Sequence, residues 1–361
     1  MGRQRKFSRD AKSSERSAAR PVTAGPALRS EDFASRLNWK ESMLSRVAEN
    51  LYWIGRYVER AENVARLLDD GFQFELDAAG LVGEAGERGP VGSVLNILSC
   101  RDAFERRPAP HDRDAVLRYL TFDRQQNYSI LAMIARAREN ARGSQETLSA
   151  ETWSQINRLY LYLSGPRSQN RFQSSPFRFY DSIKRGCILF DGLVDSTLPR
   201  AEAFHFLQVG RYLERADTIS RVVNVKFQTL PDESTDAGLR LRSIYWTSLL
   251  RSCSAYEAYL KEHQDRILSR NVVRYLVLDS DFPRAIRFCV DRCLESLREL
   301  SGGNGDGYGS EAERLLGRLD GELRYMDLDE VFPLGLAPFL TGVQEACNRV
   351  GQAIQQTYFL T

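Results

Sequence analysis

GRYVERAENVAR, residues 55–66, returns as GRYLERADTISR, residues 210–221, with seven of twelve positions identical at an offset of 155. Around the first copy Leu44, Val47, Leu51, Ile54, Val58, Ala61, Ala65, Leu68 and Phe72 alternate three and four apart. That spacing is the apolar stripe of a long helix. The stripe recurs at the same offset as Phe206, Val209, Leu213, Ala216, Ser220, Val223 and Phe227. A second block follows at an offset of 156, where LRYLTFD (Leu117–Asp123) parallels VRYLVLD (Val273–Asp279), and Arg136, Glu139 and Arg142 parallel Arg292, Glu295 and Arg298. Two separated blocks at nearly one offset point to an internal duplication.

Outside these blocks helical periodicity covers 93–104, 124–142, 152–163, 177–198, 239–262, 281–300, 311–325 and 336–359, and nothing reads as a strand. Breaks fall at 80–92, at Ser164-Gly165-Pro166 and at the glycine-rich run 302–309, read as a flexible surface loop. The expected fold is all-α, a helical bundle of two tandem pseudo-symmetric repeats of about five helices each, 43–198 and 199–361, packed as one continuous domain. Residues 1–42 hold ten Lys or Arg against five Asp or Glu and lack apolar periodicity. They read as a disordered basic tail, dispensable for folding, with translation of the functional protein starting at Met43.

Composition narrows the function. With 42% hydrophobic residues the 361-residue chain can bury a sizeable core. No apolar run approaches the roughly 18 residues of a membrane span. Six scattered cysteines without a CxxC pair, and no signal-peptide pattern, point to the reducing cytoplasm. A net charge of +2, with a slightly acidic body beyond residue 42, argues against a nucleic-acid binder.

Charge on the two repeated helices carries what chemistry there is. With Leu44 and Val47 as heptad positions a and d, Tyr52, Glu59 and Arg66, Trp53 and Arg60, and Arg56 and Asn63 lie off the apolar seam. The second copy carries Arg211, Glu214, Arg215 and Arg221 on the matching face. One reading makes these pairs within a helix, Arg56 with Glu59 and Glu62 with Arg66, or partly buried pairs that fix register. The other makes the arginine-rich faces a shared anion or carboxylate site, with Arg56, Tyr57, Arg60, Arg66, Arg211, Tyr212, Arg215 and Arg221 as binding residues. Since these faces point away from the seam, Arg56→Ala and Arg211→Ala are expected to leave melting nearly unchanged.

Other candidates are weaker. Asp123 and Asp279 suit helix N-caps. Arg118-Tyr119 and Arg274-Tyr275 suit either a cleft or an amphipathic helix with a snorkelling arginine. His111, His205 and His263 have no second ligand at metal spacing, Cys289 and Cys293 read as buried small side chains, and no metal or cofactor is expected.

The segment from Met43, MLSRVAENLYWIGRYVERAENVARLLD, together with the second GRYLERAD, resembles the bacterial alpha-E family, a predicted all-helical domain of unknown function named for its Glu-Arg motif. The motif maps onto Glu59-Arg60 and Glu214-Arg215. The chain departs from the family in its N-terminal extension, since members usually begin at the equivalent of Met43. The resemblance implies partnership with a circularly permuted ATP-grasp-type protein and with a transglutaminase-like peptidase, in a system that makes or modifies a peptide. Two roles follow from it. The chain is either a helical module that presents a partner ligase's substrate, or an enzyme acting on the same peptide with Glu59 or Glu214 as general base.

Overall fold

The computed structural model describes residues 43–360 except 79–88, 109, 231–233, 264–266 and 303–306. The basic segment 1–42 and the centre of the glycine-rich run lie outside the described residues. Sixteen α-helices and no strand occur among those described.

Two long helices form the centre, Ser45–Asp77 (α1) and Glu202–Gln228 (α9). An apolar stripe alone would bury one face. Here 18 of the 33 residues of α1 and 17 of the 27 of α9 are buried, because each helix is enclosed by neighbours. Ile130–Gly143 (α5) and Pro176–Thr197 (α8) pack against α1. In the same way Ile286–Ser301 (α13) and Leu336–Ile354 (α16) pack against α9. Ala150–Ser164 (α6) bridges α5 to α8, and Glu311–Arg324 (α14) bridges α13 to α16.

The two central helices pack on each other at glycine. A Cβ on Gly55 would collide with the Leu207 carbonyl oxygen, and one on Gly210 with the Tyr52 carbonyl oxygen. Each glycine therefore sits where the opposite backbone comes closest, which no other residue permits. The two collisions map onto each other at the offset of 155.

Two of the helices beyond the ten expected arise from breaks repeated at the same offset. The stretches 93–104 and 239–262 break into Pro90–Ile97 (α2) and Arg101–Glu105 (α3), and into Asp236–Ser252 (α10) and Tyr256–His263 (α11). Ser99 and Ser254, at φ 53° and 54°, occupy the left-handed region. Cys100 N–H donates to Leu95 O at 2.9 Å and Ala255 N–H to Leu250 O at 2.7 Å. These bonds close the preceding helix in a Schellman motif. The apolar stripe runs on across both breaks, so periodicity alone read each pair as one helix. The remaining short helices are Arg113–Phe122 (α4), Ser168–Ser174 (α7), Ser269–Leu278 (α12) and Leu328–Leu334 (α15).

Candidate functional site at the crossing of the central helices

The charged faces expected to point outward are turned into the crossing. Glu59 and Glu214 are each 2% exposed. Arg60 forks onto Glu214, Nε to Oε1 at 2.6 Å and Nη2 to Oε2 at 2.7 Å. Arg215 forks onto Glu59 in the same way, at 2.7 and 2.6 Å. Each copy of the motif thus supplies the arginine that neutralises the other copy's glutamate. Burial of such a face is tolerated because every charge meets an opposite one in bidentate geometry. Arg56 adds a bond to Glu214 at 2.7 Å and another to Tyr52 Oη at 2.8 Å. The expected Arg56–Glu59 pair is therefore replaced by one between helices. The expected Glu62–Arg66 pair forms, at 2.6 Å.

The remaining motif residues extend the network outward. Arg211 reaches Asp191 at 3.1 Å. Arg221 holds Asp217 at 2.9 Å and donates to Ser99 Oγ at 3.2 Å, while Arg66 donates to Ser254 Oγ. The arginine that closes each motif copy thus pins the left-handed serine of the other half. Tyr57 stacks on Trp53 at 5.3 Å, and Tyr212 lies 5.6 Å from the Arg215 guanidinium.

Sequence reasoning missed Arg284, Asp191 and the part Glu62 plays between helices. Buried Arg284 donates to Asn63 at 2.8 Å and to Glu59 at 3.4 Å, and pairs with Glu62. At the offset of the second block, 156, its counterpart is Tyr128, whose ring lies 5.5 Å from the Arg60 guanidinium. No spacing rule flags a single arginine after a proline, so nothing in its own neighbourhood marked it.

The electrostatics follow from this packing. Burial by itself would raise the Glu59 carboxyl, but Arg215 and Arg284 hold it down at about 2. Arg60 and Arg56 do the same to Glu214, also at about 2 against burial. Asp191 goes the other way. Burial pushes its carboxyl up to about 7, Arg211 opposing and Glu59 and Glu62 adding to the rise. A carboxylate held near 2 by two arginines is a weak base, so neither motif glutamate is set up to abstract a proton.

Oxygens of Glu59, Glu62 and Asp191 lie within 4.8 Å of one another, a grouping that tracking histidine and cysteine did not find. Arg211, Arg215 and Arg284 already pair with its three carboxyl groups. All six cysteines are buried, Cys289 and Cys293 among them.

Asp123 and Asp279 are not helix N-caps. They follow α4 and α12 and accept from Gln125 N–H at 2.9 Å and Asp281 N–H at 2.8 Å, closing turns, while Ser129 caps α5. Arg118 and Tyr119 do line a cleft, of about 670 Å³. Arg274 instead pairs with Asp329 at 3.2 Å.

Residues 43–359 match the model of the family described as Alpha-E, a predicted alpha-helical domain with a conserved ER motif. The chain belongs to the Alpha-E family. Uncharacterised proteins of Mycobacterium bovis and of Mycobacterium tuberculosis are 22% identical to this Alpha-E chain over 337 residues, covering 86% of it. The chain spans 36% of the length of those relatives. No solved structure matches it. The Glu-Arg pairs at 59–60 and 214–215 form the two forks of the crossing, and no helix among the described residues is long and apolar enough to cross a membrane.

Proposed function

We propose that this chain is a rigid helical accessory of a circularly permuted ATP-grasp-type ligase, with a transglutaminase-like peptidase as a further partner, acting in the cytoplasm on the making or modification of a peptide. The reciprocal fork at the crossing carries the reading. Both motif glutamates are ionised, gripped by arginines and buried, so the motif fixes two helices and leaves the chain's shaped surface to do the work. The same feature tells against the alternative, an enzyme acting on the peptide through Glu59 or Glu214. Relatives in which the matched segment is about a third of a longer chain support a module that operates beside further domains.

The reading takes the chain as two tandem copies of one unit, 43–198 and 199–361, about a pseudo-two-fold axis through the crossing. Support comes from the matched behaviour of Gly55 and Gly210, of Arg60 and Arg215, and of Arg66 and Arg221. Calorimetric titration of the chain into a purified circularly permuted ATP-grasp-type protein from the same organism should give saturable binding. No heat and no co-elution on gel filtration would sink the partnership.

A further inference from the structure

Where α1, α8 and the corner between α10 and α11 meet, a cavity of about 510 Å³ opens. That size falls within the range of small-molecule sites. Its walls set Arg66, Lys184 and Arg251 against Asp69, Asp70 and Glu257, three charges of each sign. A simple anion entering there would face three carboxylates, and a simple cation three cationic groups. A ligand carrying both charges a few ångströms apart suits every wall at once.

Asp69 is the most informative of these residues. Its Oδ2 accepts from Lys184 Nζ at 2.6 Å, but its Oδ1 is buried and has no partner, an acceptor that calls for a donor. Asp70 beside it accepts from Ser248 Oγ at 2.5 Å, and that hydroxyl accepts from the buried Lys226 Nζ at 3.3 Å. Burial pushes the Asp70 carboxyl up to about 6, Lys226 opposing, so at neutral pH it is ionised yet poorly solvated. Arg251 is tethered through Nη1 to Asp77 at 2.9 Å, which fixes its position and leaves the rest of its fork for an acceptor. Arg66 is tied to Glu62 and Ser254, so the cavity lies at the outer end of the crossing network.

The geometry points to a binding site for a small zwitterion, an α-amino acid or a short peptide, whose ammonium meets Asp69 Oδ1 and Asp70 and whose carboxylate meets Arg251 and Lys184. The inference stands on the cavity alone and does not depend on a partner ligase. A free amino acid separates its charges by one carbon and a dipeptide by a peptide unit more, so the two sources are told apart by which binds.

The test is a thermal-shift screen of the full chain against the twenty standard amino acids and glycylglycine at millimolar concentration. Calorimetry of the best binder would follow, beside its N-acetyl and carboxamide forms. One zwitterion should bind saturably, and each blocked form at least tenfold more weakly. Arg251→Gln, at a half-exposed site where folding is not at risk, and Asp69→Asn should each weaken the zwitterion at least tenfold. An ammonium beside Asp70 favours its ionised form, so binding near pH 6 should release protons, and affinity should fall as pH drops below about 6. If no zwitterion binds, if a blocked form binds as well as its parent, or if both variants bind normally, the proposal is overturned.

Discussion

At the scale of single residues, the decisive arrangement is a buried carboxylate held by two guanidinium groups. Glu59→Gln would leave buried Arg215 without its counter-charge, while Arg284 keeps Glu62, so it should cost about 3–5 kcal/mol in urea unfolding. Glu214→Gln should cost less, since Arg56 and Arg60 remain 13% and 16% exposed. Arg56→Ala, expected from the sequence to be silent, should instead lower the melting temperature, because Arg56 holds buried Glu214 and the Tyr52 hydroxyl. Both glutamates are held at about 2 in the fold, below the ordinary 4.5. The stability they supply, about 3 kcal/mol each, is present above pH 4.5 and disappears as pH falls through the folded value. Asp191 has the opposite sign, since its folded value of about 7 lies above the ordinary 3.8 and its contribution declines as pH rises between them. Denaturation across pH 2–8 should show both limbs, and Asp191→Asn should flatten the upper one. Alternating Glu and Arg in the sequence announced that these residues interact. Which helix supplied each partner was not legible, because a pair four apart in one helix and a pair across two helices look alike in one dimension.

At the scale of helices, close approach depends on two missing side chains. Gly55→Ala and Gly210→Ala would each push a methyl group into a carbonyl of the opposite helix, where the backbone has no rotamer to yield. Each should destabilise by about 3 kcal/mol or more, the upper end of overpacking. Gly192→Ala is the internal control, because within α8 nothing lies within 4 Å of an added Cβ. It should stabilise by about 0.5–1 kcal/mol, the ordinary helix-propensity gain. Opposite signs for one chemical change, read by thermal melting, would isolate the crossing as the cause. The stripe from Leu44 to Phe72 located α1 well, yet it could not reveal burial on the polar side. Periodicity identifies the face toward one neighbour and is silent about a second neighbour that brings matching charges. The breaks at Ser99 and Ser254 were hidden for a related reason, since an arginine from a distant helix secures each serine.

At the scale of the whole molecule, the two halves of the sequence leave each other's charges incomplete. Expressed separately, 43–198 and 199–361 should each fail to melt cooperatively, since each would expose one half of the fork and of the glycine contact. Mixing them should restore a cooperative transition by circular dichroism and a single complex on gel filtration. Two halves that each melt sharply alone would contradict this account. The two repeated blocks of sequence share nearly one offset, whereas Arg284 stands where that offset predicts a counterpart of Tyr128 and departs from it. That departure gives the crossing a head and a tail. Arg284 adds a third guanidinium beside Glu59 and Glu62 at one end, while a tyrosine ring lies against Arg60 at the other. A crossing alike at both ends would answer a change of pH alike at both. This one is built from different partners, Arg284 and Asp191 at the Glu59 end and a tyrosine ring at the other, so its two ends should part company near neutral pH, where Asp191 gains its charge.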